Sequence, residues 1–358
     1  MIIKITDLDI IVGRDLFGDL KHNVDFTAYS SLFLLTDNNV YARYLDDIRK
    51  NFDGELKLGR YFTLPSGEKY KTLEWVGQIC EKMLSSGLDR KSMLVALGGG
   101  VVTDIGGFAA SIYMRGIDFI NVPTTLVGQI DASLGGKCGV NLESAKNIIG
   151  LFSLPRKVII DPAFLDTLSG QQMRDGMVEL LKIAAVADSS LFGKLESINY
   201  DLVKVNDSIK LELIERAAGL KLAVVNKDFR ESGYRMILNF GHTTGHAIET
   251  FAGYGEFSHG KAVAIGILVA AELSGVICGL GAESKERLKN AAKSLLQETN
   301  ILGIGGDDLW EMIQFDKKKD SGDVKFVLLE KLGKSRIKTV SKDQFLNAYN
   351  TVYGEFSE

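Results

Sequence analysis

Short apolar runs alternate with helical patterns in the first half of the chain. Strands are predicted where a compact apolar run is bounded by polar residues or glycine, and helices where apolar positions recur every three to four residues. The predicted strands are 32–36, 61–64, 92–97, 119–122 and 157–160, and the predicted helices between them are 41–52, 72–84 and 102–114. Strand–helix alternation of this kind indicates a mostly parallel sheet covered by helices on both faces.

The pattern becomes helical almost throughout after Pro162. All four prolines precede Ala163, which favours uninterrupted helices in the second half. The clearest helical patterns are 208–225, 245–251, 261–278 and 283–298, and the pair 324–329 and 336–340 is typical of a β-hairpin. A chain of 358 residues exceeds the usual size of one core. We therefore predict an α/β domain over residues 1–162 and a mainly α-helical domain over residues 163–358.

Composition and charge exclude several classes of protein. Hydrophobic residues make up 46% and charged residues 25% of the chain, and the net charge of −4 gives no electrostatic basis for binding nucleic acid or an anionic membrane. The three cysteines, Cys80, Cys138 and Cys278, are scattered, which excludes a disulfide framework. The first residues lack the layout of a signal peptide, and no apolar run reaches the length of a membrane span. We expect a cytoplasmic protein with no membrane partner.

Three of the four histidines, His242, His246 and His259, lie within eighteen residues. His242 and His246 are four residues apart, which places both on one face of a helix. Such clustering indicates a metal or proton-transfer site, although an isolated pair with this spacing is also typical of core histidines. Gly241 and Gly245 precede the two histidines. Because glycine destabilises a helix without offering a side chain to pack, we expect these positions to let a backbone or a ligand approach closely.

A glycine run, Gly98-Gly99-Gly100, follows one predicted strand and opens a helix. Consecutive glycines at that place let backbone N–H groups approach a pyrophosphate, which favours a Rossmann-like dinucleotide site. A tight glycine turn in an α/β sheet fits the same residues equally well. Thr124 and Thr125 follow the next strand, at the sheet edge where ligands bind in such folds.

The segment from Asp131 to Asn147 has a composition suited to anion binding. It contains Lys137, Lys146, an asparagine and several glycines. Lysines and amides bind phosphate, and the apolar residues around them indicate that the segment packs on the protein. We therefore expect a packed loop that binds a phosphate or another anion.

The order and spacing of these residues resemble the 3-dehydroquinate synthases of the sugar phosphate cyclase superfamily, nearly from end to end. The segments that carry the resemblance are 66–71, 98–104, 123–125, 131–137, 146–147, Glu179 with Lys182, Arg235, 239–249 and 259–260. The resemblance implies an α/β fold with an N-terminal Rossmann-like domain and a C-terminal α-helical metal-binding domain. It also implies NAD, a divalent metal (Zn2+ or Co2+), a sugar phosphate substrate and a homodimer.

The resemblance also implies roles for individual residues. The metal ligands would be Glu179, His242 and His259, His246 would transfer protons, and Arg115 would reach the neighbouring site across the dimer interface. The implied substrate contacts are Asp131, Lys137, Asn147, Lys182, Lys221, Glu231, Arg235 and Asn239, with one of Lys317, Lys318 or Lys319 as a further phosphate contact. The implied NAD contacts are Asp37, Glu68, Lys71, Gly99, Gly100, Val101, Asp104, Thr124, Thr125, Lys137, Lys146 and Thr167.

The implied reaction converts 3-deoxy-D-arabino-heptulosonate 7-phosphate to 3-dehydroquinate and phosphate, a step of the shikimate pathway, with NAD reduced and reoxidised in each turnover. Other classes stay open. Residues 180–184 also resemble cyclases that act on sedoheptulose 7-phosphate, such as valiolone-type synthases. A metal-dependent alcohol or glycerol dehydrogenase has a similar two-domain fold, and a metal-stabilised nucleotide-binding regulator would need the NAD residues but not His246.

Overall fold

The computed structural model of the chain describes residues 2–5, 8–54, 59–142, 145–253, 257–296, 304–317 and 324–356. The strands are β1 (Ile2–Ile5), β2 (Leu8–Val12), β3 (Leu32–Asp37), β4 (Tyr61–Leu64), β5 (Met93–Gly98), β6 (Asp118–Pro123), β7 (Lys137–Leu142), β8 (Ala145–Phe152), β9 (Lys157–Ile160), β10 (Val324–Lys331) and β11 (Lys334–Val340). The helices are α1 (Leu20–Asn23), α2 (Asn38–Arg43), α3 (Leu45–Asn51), α4 (Leu73–Ser85), α5 (Gly100–Ile112), α6 (Leu126–Ile130), α7 (Gly170–Ala187), α8 (Ser189–Ser197), α9 (Asp207–Lys227), α10 (His242–Ala252), α11 (His259–Cys278), α12 (Ala282–Leu295), α13 (Gly306–Lys317) and α14 (Lys342–Glu355).

The chain forms two compact units, each with its own core. Unit 1 consists of Met1–Leu168 and Asn206–Phe229, and unit 2 consists of Ser169–Val205 and Arg230–Glu358. The predicted boundary at residue 162 lies near Leu168, where the chain first passes from unit 1 to unit 2. The helix α9 differs from the prediction, because it packs against α6 in unit 1 although its sequence lies within the segment assigned to the second domain. Periodicity predicts that a segment is helical, but the partner of its apolar face depends on the tertiary structure.

Unit 1 is built on a seven-stranded sheet in the order β1-β2-β9-β6-β5-β3-β4. Only β1 is antiparallel to its neighbour, which confirms the expected mostly parallel sheet. Apolar side chains pack on both faces of β3 and β5, because alternate residues of a strand point to opposite faces. The carboxyl ends of β3, β5 and β6 lie side by side, with Gly98 opposite Pro123. Ligands bind at this edge in doubly wound folds, and Asp37, Gly98 and Pro123 end these strands.

Unit 2 is mainly helical and is centred on α11. This helix contacts α7, α10, α12, α14 and β10. It is long and apolar enough to cross a membrane, but 72% of its most apolar window is buried inside the protein. No other helix among the described residues meets these criteria. The sequence analysis was therefore wrong that no apolar run reaches the length of a membrane span, although the apolar residues of α11 are mostly buried in unit 2.

Several boundaries agree with the sequence analysis and two regions differ. Strands β4 and β9 coincide with the predicted segments, and the expected hairpin of β10 and β11 forms. The predicted helix 41–52 is two helices, α2 and α3, which meet at Tyr44. The segment expected to be a packed loop is the β7–β8 hairpin over much of its length.

Candidate active site

Glu179, His242 and His259 converge in unit 2. They come from three helices, since Glu179 lies in the middle of α7 and the histidines open α10 and α11. Their ligand atoms all lie within 4.8 Å of one another. Oε1 of Glu179 is 3.4 Å from Nε2 of His242 and 3.1 Å from Nε2 of His259. A buried carboxylate that faces two imidazole nitrogens is a donor set that fits a divalent metal such as zinc.

Each histidine is oriented by a second contact on its other ring nitrogen. Nδ1 of His242 lies 3.2 Å from the carbonyl oxygen of Phe240, and Nδ1 of His259 lies 3.3 Å from Oε2 of Glu249. An N–H group at Nδ1 would donate a hydrogen bond to that oxygen, and Nε2 would then keep its lone pair for a metal ion. Histidine ligands of metals are usually held in this way, and such partners raise the basicity of the ligand.

Burial and charge set the pKa values of the three residues in opposite directions. Burial lowers the pKa of His242, and this outweighs the raising effect of Glu179. Burial also lowers the pKa of His259, but its hydrogen bonds to Glu179 and Glu249 outweigh burial and raise that pKa to about 10. For Glu179 burial raises the pKa, whereas the charge of Lys182 and the hydrogen bond from His259 oppose burial and help to hold it well below its usual range. The cluster therefore holds one carboxylate, one neutral imidazole and one protonated imidazole at neutral pH when no metal is bound.

Glycines bring α10 and α11 into close contact. A Cβ atom on Gly266 would lie 1.9 Å from the carbonyl oxygen of Gly241, and one on Gly245 would lie 3.1 Å from the backbone of Val263. Gly241 also has φ +77°, a conformation that side chains rarely adopt. These contacts show that the glycines beside the histidines serve a close approach between two helix backbones. That is the backbone alternative of the two expected from the sequence.

A hydrogen-bond network joins the start of α11 to α7, one turn before Glu179. Oγ of Ser258 caps α11 and donates to Oδ1 of Asp175 at 2.7 Å. Nε2 of Gln171 donates to both groups, at 2.8 Å to Ser258 and 2.9 Å to Asp175. A Cβ atom on Gly260 would lie 2.4 Å from Asp175 Oδ1, so the two helices touch here as well. The network therefore fixes the position of His259 relative to Glu179.

Among the other candidates of unit 2, Lys182 and Arg235 are buried, whereas Glu231 and Asn239 are half-buried. Nζ of Lys182 lies 2.5 Å from Oε2 of Glu179, and both side chains are almost fully buried. Arg235 is 2% exposed and lies on a 3-10 helix that leads to Asn239, whose Nδ2 donates to Oε1 of Glu231 at 2.9 Å.

His246 follows His242 by one turn of α10. Its ring centroid is 5.3 Å from that of His242 and 6.3 Å from that of His259. It stands beside the three-residue cluster without belonging to the set whose ligand atoms converge.

The glycine turn of unit 1 lies where a strand gives way to a helix. Gly99 is the N-cap of α5, and Gly100 is its first residue. A Cβ atom on Gly99 would lie 3.0 Å from the side chain of Thr125, which itself caps α6. Thr124 donates its backbone N–H to the carbonyl oxygen of Gly98 at 3.0 Å. The starts of α5 and α6 are therefore close together at the sheet edge, and a side chain on Gly99 would be in tight contact with Thr125.

Lys71 is the centre of a polar network in unit 1. It is 3% exposed and donates to Oδ2 of Asp104 at 2.6 Å and to Oδ1 of Asn147 at 2.5 Å. Burial lowers the pKa of Lys71, but the charges of Asp104 and Glu68 outweigh burial and raise it above its usual value. Lys71 is therefore charged at every physiological pH. Asp37 is separate from this network; it caps α2 and accepts from Ser66 Oγ at 2.9 Å.

Three further candidates of unit 1, Asp131, Lys221 and Thr167, make contacts outside the network of Lys71. Asp131 pairs with Lys221 of α9, which is 7% exposed. Thr167 is exposed and shares a hydrogen bond with the hydroxyl of Tyr44.

Arg115 is an exposed residue in a left-handed turn. It has φ +71° and is preceded by Met114 with φ +49°. The expected reach of Arg115 across a dimer interface stays a prediction.

The candidate lysines differ in how far the structure describes them. Lys137 begins β7 and is exposed, and Lys146 lies in β8. The remaining candidate, Val101, lies in the first turn of α5. Lys318 and Lys319 lie outside the described residues. Lys317 ends α13, and the structure does not describe its side chain.

The sequence analysis missed residues that position the candidate metal ligands. Glu249 holds His259, and Asp175, Ser258 and Gln171 hold the start of α11. Glu249 could have been found, because it follows His242 by seven residues and therefore lies on the same face of α10. The contact of Asp175 with Ser258 leaves no comparable signal, since the two residues are more than eighty positions apart.

A parallel sheet with a glycine turn at its edge and a buried carboxylate–imidazole cluster on helices are together typical of metal- and nucleotide-dependent enzymes. Comparison with known proteins names the family. The model of the 3-dehydroquinate synthase N-terminal region matches residues 61–175, and the model of the C-terminal region matches residues 176–319. The chain is 39% identical over 317 residues to 3-dehydroquinate synthase of Thermoanaerobacter pseudethanolicus, covering 88% of this chain and 89% of the relative.

Solved structures of other sugar phosphate cyclases share the fold. The 2-epi-5-epi-valiolone synthase of Streptomyces hygroscopicus subsp. jinggangensis 5008, with NAD+ and Zn2+ bound, matches with a TM-score of 0.88 at 27% identity, over 99% of this chain and 98% of its own. A 2-deoxy-scyllo-inosose synthase complexed with carbaglucose-6-phosphate, NAD+ and Co2+ matches with a TM-score of 0.86 at 25% identity, over 98% of this chain and 99% of its own. The chain belongs to the 3-dehydroquinate synthase family of enzymes.

Proposed function

We propose that this protein converts 3-deoxy-D-arabino-heptulosonate 7-phosphate to 3-dehydroquinate and phosphate, using NAD and a divalent metal, Zn2+ or Co2+, in the cytoplasm. The observation that carries the proposal is the convergence of Glu179, His242 and His259 within 4.8 Å in a member of this family. The donor set suits a metal with open coordination positions for substrate oxygens. When bound, NAD would accept and return the hydride at C5 of the substrate, and the metal would polarise the oxygen on that carbon.

The residues of unit 2 would supply charge stabilisation and proton transfer. The ammonium group of Lys182, held beside Glu179, would stabilise negative charge that develops on a substrate oxygen. His246, one turn after His242, would exchange protons with the substrate. Arg235 would bind the substrate carboxylate, because a guanidinium pairs with a carboxylate through two parallel hydrogen bonds.

The residues of unit 1 would bind the nucleotide and the phosphate. The N-terminus of α5 would offer backbone N–H groups to an anion, as at other glycine turns that bind pyrophosphate. Lys71 stays charged and holds Asp104 and Asn147 in place. Lys137, which is exposed at the start of β7, would contribute a cation to the substrate phosphate.

A steady-state assay that follows phosphate and NADH absorbance together tests the proposal. We expect phosphate release from the heptulosonate phosphate without accumulation of NADH, because the hydride returns to the substrate in each turnover. A glycerol or alcohol dehydrogenase would accumulate NADH and release no phosphate. A nucleotide-binding regulator would do neither, and either result would contradict the proposal.

Metal binding should release about one proton per ion near neutral pH. In the metal-free protein the pKa of His259 is raised to about 10, whereas the pKa of His242 and that of Glu179 are lowered, so only His259 holds a proton that the metal must displace. The apparent affinity should therefore rise about tenfold per pH unit until the pH approaches the pKa of His259. Calorimetry of Zn2+ or Co2+ binding in buffers of different ionisation enthalpy measures the released proton. An affinity that does not change with pH would contradict the expectation that the metal displaces a proton from His259.

Replacing Arg235 with alanine should separate the two candidate substrates. Only the heptulosonate carries a carboxylate, so Arg235→Ala should lose about 2–5 kcal/mol of transition-state stabilisation on it, as for truncating one partner of a buried charge pair. We expect wild type to turn over the heptulosonate phosphate and to show little activity with sedoheptulose 7-phosphate. The kcat/KM of each variant on each sugar measures the effect, with Arg230→Ala as the control because Arg230 is an exposed arginine of the same segment. A wild-type preference for sedoheptulose 7-phosphate would contradict the substrate assignment.

A further inference from the structure

The β7–β8 hairpin is irregular at Asn141. Val140 pairs with Ile149, and the next pair is Leu142 with Ala145. Between these pairs β7 has one residue, Asn141, whereas β8 has three, residues 146–148. Such a bulge redirects side chains and is over-represented beside active sites. Two candidate ligand residues, Lys146 and Asn147, lie in this bulge.

Asn147 has a backbone conformation that needs support. Its φ of +54° lies in the left-handed region, which is uncommon for residues other than glycine. Its side chain accepts a hydrogen bond from Lys71 Nζ at 2.5 Å, and its backbone N–H donates to Oδ1 of Asn141 at 2.9 Å. The side chain of Asn141 therefore occupies the place that a ladder partner would have in a regular hairpin.

The other end of the Asn141 amide holds the turn that carries two candidate NAD contacts. Its Nδ2 donates to Oε1 of Glu68 at 2.9 Å, and its backbone N–H donates to the carbonyl oxygen of Lys71 at 2.8 Å. Glu68 begins one short 3-10 helix, and Lys71 caps its end. The two ends of the amide are not interchangeable, because the carboxylate needs a donor and the N–H of Asn147 needs an acceptor.

We propose that Asn141 is a positioning residue that fixes Asn147 for the sugar phosphate and Glu68 for NAD through the two ends of one amide. The inference rests on the proposed function, which assigns Asn147 to the substrate and Glu68 to the nucleotide. Asparagine supplies an N–H donor and a carbonyl acceptor at the two ends of one short amide group. Asn141 touches neither ligand in this scheme and acts through its neighbours.

Two substitutions separate the two ends of the amide. Asn141→Asp keeps an acceptor for the N–H of Asn147 but places a carboxylate against Glu68. It should weaken NAD binding about tenfold or more while the KM for the sugar phosphate changes little. Asn141→Ala removes both ends and should weaken NAD binding and raise that KM, each about tenfold. Ile148→Ala is the control, because Ile148 lies in the same bulge and is 61% exposed, and it should leave both constants unchanged.

The measurements are the dissociation constant for NAD without substrate, kcat and KM for the sugar phosphate, the unfolding midpoint, and a crystal structure of Asn141→Ala. In that crystal structure we expect Asn147 to leave the left-handed region and its side chain to move away from Lys71. Asn147 unchanged in the crystal would overturn the proposal whether or not the enzyme is active. Equal effects of Asn141→Ala and Ile148→Ala would overturn it too, since they would reflect the hairpin as a whole. A wild type that binds no NAD and releases no phosphate would instead contradict the proposed function, and the crystal structure would still decide the role of Asn141.

Discussion

Replacing His259 with alanine is expected to abolish both metal retention and turnover, whereas His246→Ala should keep the metal and lose rate. Nε2 of His259 faces Glu179 at 3.1 Å, and its other nitrogen is held by Glu249. Removing a ligand should weaken metal binding by more than the roughly 10–100-fold that follows loss of an orienting partner. His246 lies outside the converging set, so its loss should cost about 10²–10⁴-fold in kcat, the usual contribution of a general acid or base.

Metal analysis of the purified variants, with kcat measured on the same samples, checks this pair. His22→Ala is the control, since the side chain of His22 is 84% exposed and pairs only with Asp19 among the contacts described for it. It should retain both metal and rate. Equal metal loss in His246→Ala and His259→Ala would mean that ligand and proton-transfer residue have been exchanged in the assignment.

Gly266→Ala should disrupt the crossing of α10 and α11 and with it the metal centre. The new Cβ would lie 1.9 Å from the carbonyl oxygen of Gly241 and 3.0 Å from the backbone N of Gly245. Neither contact can be relieved by a side-chain rotation, because both partners are backbone atoms. Overpacking usually costs about 1–3 kcal/mol. We expect the upper end of that range or beyond it, together with weakened metal binding, because Gly241 precedes His242.

Gly275→Ala is the matched control in the same helix. A Cβ on Gly275 would lie 3.4 Å from the flexible side chain of Lys285, which can move. Alanine favours a helix by roughly 0.8–1 kcal/mol over glycine, so this variant should be neutral or slightly stabilised. Urea unfolding measures the free energy of unfolding of both variants, and Zn2+ titration of the folded proteins measures their metal affinity. A Gly266→Ala protein as stable as Gly275→Ala would show that the two helices are not as close as described.

The sequence does not reveal why a glycine lies beside a candidate metal ligand. Gly241 and Gly245 indicated a close approach, and the residues alone could not decide between a backbone and a ligand. Their partner in α11, Gly266, lies more than twenty residues away and carries no histidine motif. The packing of two helices decides the question, and that packing is a property of the folded chain.

The sequence by itself determined the alternation of strands and helices in unit 1, the hairpin of β10 and β11, and the stretch with three histidines that contains the candidate site. These features depend on local spacing: apolar runs fix strands, and residues four apart share a helix face. The family resemblance added Glu179, which lies sixty-three residues before His242 and has no local link to it.

The tertiary structure alone decided the partners of these elements. It placed α9 with unit 1, replaced an expected loop by the β7–β8 hairpin, and brought Asp175 and Glu249 to the start of α11 and to His259. It also closed the bulge around Asn147 with Asn141. Each of these depends on contacts between residues distant in sequence or on an irregular register. Local patterns of hydrophobic and polar residues do not encode such contacts, because the same pattern fits more than one partner.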